Sequence, residues 1–180
     1  DRLYHNNGDG TFTDVTDTLD FINTSGAGFA ASFVDYDNDN DVDLYVVNDK
    51  MSNPIGNVLW RNDGAGCDIW CWTNVSEATK ADSMMHGMGL AVGDYDNDSD
   101  LDFYTSTMVS PMVLLQNQSG TFNDVALDAG VGVNPGNAVG WGAAFFDIDN
   151  DGWQDLYLAT TGMPPGPPPQ YTGNAPDMED

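Results

Sequence analysis

The sequence is short of base. Its 180 residues include 4 Lys and Arg against 29 Asp and Glu, for a formal net charge of −25. Arg2, Lys50, Arg61 and Lys80 cannot be gathered into a basic patch, which argues against nucleic acid or an anionic lipid surface as partner. Glutamate is nearly missing too, with only Glu77 and Glu179. Long surface helices favour Glu and Lys, so an acidic complement made of Asp points to loops and turns, where its short side chain bonds the nearby backbone. No run of about 18 apolar residues exists, so no segment reads as a membrane-spanning helix. The chain opens on Asp1 with no basic or apolar leader pattern, as in a mature product or a trimmed piece. Cys67 and Cys71 are the only cysteines, and CxxxC with no nearby His is a poor zinc site but an acceptable small disulfide loop, so a Cys67–Cys71 disulfide is expected over two unrelated thiols. A composition 41% hydrophobic and 11% aromatic is not a disordered one.

What is present repeats. Laid against itself, the chain aligns Asp35-Tyr-Asp37-Asn-Asp39-Asn-Asp41-Val-Asp43 with Asp94-Tyr-Asp96-Asn-Asp98-Ser-Asp100-Leu-Asp102 and with Asp147-Ile-Asp149-Asn-Asp151-Gly152-Trp153-Gln-Asp155. Gly28-Phe-Ala-Ala-Ser-Phe-Val, Gly89-Leu-Ala-Val-Gly and Gly142-Ala-Ala-Phe-Phe precede the clusters, and Leu44-Tyr-Val-Val, Phe103-Tyr-Thr-Ser and Leu156-Tyr-Leu-Ala follow them. These short apolar, aromatic and β-branched runs bounded by turn residues read as strands. A third strand recurs as Leu3-Tyr-His-Asn-Asn, Leu59-Trp-Arg-Asn-Asp and Leu114-Leu-Gln-Asn-Gln, and a fourth as Thr11 to Val15, Trp72 to Val75 and Thr121 to Val125. The expected fold is all-β, with propeller-like blades of four antiparallel strands in three repeats, the third blade split between the two termini. The organisation follows: residues 1–22 as outer strands of the split blade, 23–80 as repeat 1 with loop 35–43, 81–130 as repeat 2 with loop 94–102, 131–162 as the inner strands of repeat 3 with loop 147–155, and 163–180 as a Pro-rich tail.

The loops carry the chemistry. Calcium is a hard cation that takes about six to eight oxygen ligands, and D-x-D-x-D-x-x-x-D offers carboxylates at positions 1, 3, 5 and 9 of one tight turn, with a backbone carbonyl from position 7. The expected ligands are Asp35, Asp37, Asp39, Asp41 and Asp43; Asp94, Asp96, Asp98, Asp100 and Asp102; and Asp147, Asp149, Asp151, Trp153 and Asp155, holding about three Ca²⁺. Four carboxylates in one turn repel each other unless a cation offsets them. An EF-hand would need a bidentate Glu at position 12, where Val46, Thr105 and Leu158 stand in strand-like runs. Magnesium would want a smaller and more hydrated site. Asn40 and Ser99 replace the loop glycine seen at Gly152; asparagine tolerates a left-handed backbone, whereas serine does so poorly, so the second loop departs furthest from the pattern.

Gly28 to Val47, Gly89 to Thr105 and Gly142 to Ala159 resemble the FG-GAP or VCBS-type calcium-binding repeats of β-propellers, found in integrin α-chain heads and many secreted bacterial proteins. Asn6-Asn7-Gly8-Asp9-Gly10-Thr11-Phe12 is similar to their outer-strand turn. The resemblance implies blades with Ca²⁺ between the first two strands, an extracellular or cell-surface location, and an adhesion or scaffold role rather than catalysis.

Other constellations are weaker. His5 and His86 suggest no nucleophilic triad, and paired carboxylates committed to cations do not supply a distinct acid and base, so no enzyme is expected. Met84, Met85 and Met88 beside His86 read as packing at a strand start rather than as a copper site. Trp60, Trp72 and Trp141 occupy strand positions and are expected in the core; Trp70 and Trp153 are freer to stack on a glycan. Asp49 and Asp63, outside the clusters, read as solvated charge. Four glycosylation triplets, at Asn23, Asn74, Asn97 and Asn117, are a weak signal in so Asn-rich a chain. The split blade suggests self-association head to tail, as a fibre or ring, or else a piece of a longer propeller; a glycan- or protein-binding module is the alternative role.

Overall fold

The computed structural model describes residues 1–19, 26–50, 55–64, 71–108, 111–132 and 138–162. Within them the alternating runs form strands, as their periodicity requires. β1 (Tyr4–Asn6) and β2 (Phe12–Asp14) make a hairpin, followed by a short 3-10 turn over Thr16–Thr18. β3 (Ala27–Val34), β4 (Asp43–Asp49), β5 (Val58–Asn62) and β6 (Trp72–Asn74) form one antiparallel sheet in chain order. After the one-turn helix α1 (Ser76–Thr79), β7 (Gly87–Gly93), β8 (Asp102–Thr107), β9 (Val113–Gln118) and β10 (Thr121–Asp124) repeat that sheet. β11 (Ala138–Phe146) and β12 (Asp155–Gly162) supply the inner pair of a third. The expected all-β blades are present, and the sheets are not closed into a ring.

The blades stack face to face. Between the first and second, Val34, Tyr45, Val47 and Leu59 pack on Phe103, Leu115 and Phe122. The centre is a ladder of rings: Tyr45 stacks on Phe103 with centroids 4.4 Å apart, and Phe103 on Phe122 at 4.9 Å. The Tyr45 hydroxyl donates to Ala81 O at 3.0 Å and accepts from Asn57 Nδ2 at 2.9 Å, so the one polar atom of the ladder is satisfied. Ala91, Tyr104 and Leu114 pack in turn on Phe145, Leu156 and Leu158, while Leu3, Val15 and Leu19 of the hairpin segment cover Leu44, Val46 and Trp60 of the first blade. Close approach uses glycine: a Cβ on Gly87 would lie 2.4 Å from Val47 Cγ1, and one on Gly89 2.1 Å from the Trp141 carbonyl.

Two readings of single residues change. Asp49 is fully buried and bonded through Oδ1 to His86 Nδ1 at 2.7 Å, where the two blades meet in an isolated bridge; it is not solvated charge. Trp141 is 43% exposed, because no neighbouring layer among the described residues covers that end of β11. Trp60 is buried and Trp72 half-buried as expected, and Met85 and Met88 pack inside while Met84 does not. Asn117 is fully buried and donates to Tyr36 O at 2.7 Å, which leaves its triplet inaccessible to a glycan. Asn23, Trp70, Cys67 of the expected Cys67–Cys71 pair, and the Pro-rich tail lie outside the described residues.

Phe103 is the middle ring of the ladder, so Phe103→Ala should cost about 3–5 kcal/mol in urea unfolding. The exposed Phe12 is the control, and Phe12→Ala should cost less than about 1 kcal/mol. Equal losses would show that the interface between blades is not the main core.

Candidate functional site

Each acidic cluster is the turn that joins the two inner strands of a blade, and the three turns have one geometry. The first Asp folds the loop around itself. Asp35 Oδ1 and Oδ2 accept the N–H groups of Asp39 and Asn40 at 3.1 and 3.0 Å; Asp94 accepts those of Asp98 and Ser99 at 3.1 and 2.9 Å; Asp147 accepts those of Asp151 and Gly152 at 3.1 and 3.0 Å. The fifth-position Asp turns the chain again: Asp39, Asp98 and Asp151 each accept the N–H two residues on, at 2.8 to 2.9 Å. Short side chains that bond the local backbone explain why the loops use Asp and not Glu.

The fourth and sixth positions are left-handed in every loop. Asn38, Asn97 and Asn150 have φ of 60°, 58° and 60°, and Asn40, Ser99 and Gly152 have 71°, 77° and 91°. Ser99 therefore adopts the same turn as the glycine it replaces, held by its N–H bond to Asp94, and the second loop is not distorted. The asparagines escaped the sequence reading, although D-x-D-N-D in all three loops was the signal: asparagine is among the residues that visit this conformation most readily. They also reach forward. Asn38 Nδ2 donates to Asp100 Oδ1 at 2.8 Å in the next loop, and Asn97 Nδ2 to Gly152 O at 3.0 Å in the one after.

The ninth Asp acts as a bracket between the loop and the sheet. Oδ2 of Asp43, Asp102 and Asp155 accepts the N–H of the second loop residue at 3.0 to 3.1 Å. In the complete blades Oδ1 accepts the N–H of the third strand as well, from Asn62 to Asp43 and from Asn117 to Asp102, both at 2.8 Å. Burial of these carboxylates outweighs the two backbone donors and pushes Asp43 up to about 6 and Asp102 up to about 7. Burial, followed by the charges of Asp39 and Asp35, raises Asp37.

Carboxylate oxygens of Asp35, Asp37 and Asp39 lie within 4.8 Å of one another, as do those of Asp94, Asp96 and Asp102, and those of Asp147, Asp149 and Asp155. At the seventh position the Asp100 carboxylate is taken up by Asn38 Nδ2 and the Ser119 N–H, and the Trp153 side chain is 55% exposed, which leaves the backbone carbonyl as the oxygen this position would offer. The donor set fits a hard cation on one further observation. Asp37 Oδ1 and Asp96 Oδ1, at the same position of two loops, are buried with no hydrogen-bond partner. A buried anionic oxygen left unmatched is costly, and a positive ion among the clustered carboxylates offsets that cost.

Ser99 offers a test of the turn. Ser99→Val places a β-branched side chain at φ 77° and should cost about 1–2 kcal/mol, whereas Ser99→Gly should hold stability equal or raise it. Thermal unfolding of the two variants compares them, and equal losses would mean that the left-handed turn is not what the loop requires.

No curated protein matches the chain. Residues 1–46 match the family model described as the FG-GAP-like repeat, a segment that runs from the β1–β2 hairpin through β3 and the first acidic loop into β4. Hairpin, inner strand and Asp-rich turn stand in that order within the matched segment, which is similar to an FG-GAP-like repeat.

Proposed function

We propose that the chain is an extracellular, calcium-held structural or adhesion module, with about three Ca²⁺ in the turns that close its blades and with head-to-tail self-association as its mode of assembly. The observation that carries the cation is the pair of buried, unpartnered oxygens on Asp37 and Asp96, each inside a cluster of carboxylates. Calcium supplies positive charge and accepts a crowded, all-oxygen shell that tolerates the irregular angles of a loop. Asp35, Asp37 and Asp39, then Asp94, Asp96 and Asp102, then Asp147, Asp149 and Asp155 would hold it, with the remaining loop oxygens completing the shell. Asp35, Asp94 and Asp147 also hold loop N–H groups, as do Asp39, Asp102 and Asp155, which suits a structural role. The match to an FG-GAP-like repeat supports a location outside the cell.

A second reading rests on one feature. Trp153 and Ile148, both on the third loop, are 55% and 72% exposed and offer apolar surface to a glycan or protein ligand. Loss of glycan-array binding on Trp153→Ala would support it.

Calorimetric titration with Ca²⁺ tests the main reading and should return about three sites. At calcium a hundredfold above the dissociation constant each site adds about 2.7 kcal/mol to stability, so excess chelator should lower the melting temperature sharply. Asp96→Ala should remove one site and most of that increment, while Asp17→Ala, exposed and outside the loops, should not. An unchanged melting curve in chelator would reject calcium.

A further inference from the structure

Two polar bridges cross from the first acidic loop to the second. Asn38 lies between Asp37 and Asp39 of the first cluster, and its Nδ2 donates to Asp100 Oδ1 at 2.8 Å. Asp100 lies between Asp98 and Asp102 of the second, and its Oδ2 accepts the Ser119 N–H at 2.7 Å. The other bridge is Asn117, which is fully buried. Its backbone N–H donates to Asp102 Oδ1 at 2.8 Å, its Oδ1 accepts the Gly120 N–H at 2.8 Å, and its Nδ2 donates to Leu101 O at 3.2 Å and to Tyr36 O at 2.7 Å. Tyr36 stands between Asp35 and Asp37. Asn62, at the same place in the first blade, makes the first three of these bonds within its own blade, with Asp43, Gly64 and Val42. The bond to Tyr36 is thus an addition that ties Asn117 to the neighbouring loop.

We propose that the first two loops bind calcium cooperatively, with Asn38 and Asn117 as the positioning residues that couple them. The inference rests on the calcium reading above. An empty loop has two reasons to open. Its carboxylates repel one another, and its fourth and sixth residues hold left-handed backbone, at φ 60° and 71° in the first loop and 58° and 77° in the second. A cation removes the first reason and so closes the turn. Closure of the first loop sets the Asn38 amide and the Tyr36 carbonyl in place, and closure of the second sets Asp100 and the Asp102 carboxylate that holds Asn117. Opening the first loop breaks both bridges, and opening the second releases their anchors. The ion that closes one loop therefore leaves less ordering for the ion that enters the other, which is positive coupling, equal in both directions by linkage.

Packing carries the same link. Tyr36 is buried with its ring 6.1 Å from that of Phe122, and a Cβ on Gly120 would lie 3.6 Å from both Asp37 Cβ and Tyr36 Cε2. The β9–β10 turn, which supplies the Ser119 N–H to Asp100, is thus seated against the first loop. Between the second and third loops the described residues give a single side-chain bridge, from Asn97 Nδ2 to Gly152 O at 3.0 Å, so coupling there should be weaker.

Calorimetric titration of full-length chains with chosen loops disabled separates coupling from binding. Asp149→Ala leaves the first two loops; adding Asp96→Ala leaves the first alone, and adding Asp37→Ala leaves the second alone. The two-loop chain should take up its second calcium ion about tenfold more tightly than the single-loop chains predict. Asn117→Ala also strips bonds from its own blade, so Asn38→Gly is the deciding variant. Glycine accepts φ 60° and removes the exposed side-chain amide, and in that background the factor should fall to about threefold or less. A two-loop chain that follows the sum of the single-loop chains, or a factor unchanged by Asn38→Gly, overturns the coupling and leaves the calcium reading intact. If no chain takes up calcium, that reading fails and the link between the loops is read in chelator by urea unfolding. There Asn38→Gly and Asp100→Ala should be non-additive, which upholds the link, while additive losses overturn it as well.

Discussion

Everything in this fold is arranged around carboxylates placed where a hairpin turns. A turn between two inner strands leaves several backbone N–H groups without ladder partners, and the first, fifth and ninth aspartates take them up one by one. The cost is that like charges crowd within 4.8 Å of one another, with one oxygen of Asp37 and one of Asp96 buried and unmatched. The same residues that shape the turn therefore create a demand for positive charge in a chain with four basic side chains. Acidic composition and sheet architecture are two faces of one constraint.

That constraint reaches into the sheet through the ninth aspartate. Asp43 and Asp102 begin the second strand of their blades, and each holds the second loop residue with one oxygen and the third strand with the other. Loop and strand order are thereby fixed together, so a disturbance of the loop is felt by the strand that carries Trp60 or Leu115 into the neighbouring core. Burial raises both carboxylates, which is the electrostatic signature of an anion kept away from water for a structural reason.

Much of this was legible in the sequence because the repeat states it three times. Four short runs per unit and the Asp spacing map directly onto β3 to β6 and β7 to β10, and the remaining runs onto the β1–β2 and β11–β12 pairs. What could not be read depended on neighbours distant in the chain. Trp141 was expected in the core on the strength of its strand position, but burial there requires another layer, and the residue is exposed. Asp49 looked like solvent-facing charge until its pairing with His86 across two blades placed it inside. Ser99 stood out as the residue least suited to a left-handed turn, since propensity argues from the residue alone and the bond to Asp94 that accompanies the turn is invisible at that level. The asparagines at the fourth position were legible and were overlooked, because attention to cation ligands favoured the carboxylates.

The forward reach of those asparagines has a consequence for how such a molecule can lengthen. Asn38 bonds the loop after its own and Asn97 the loop after that, and among the described residues each apolar face packs on the adjacent one. Cohesion is thus a sum of nearest-neighbour increments, as in one-dimensional stacked repeats. Duplication or loss of one unit in evolution leaves every other junction unaltered, and a change in tension or twist at one junction dies out within the neighbouring unit instead of propagating along the stack.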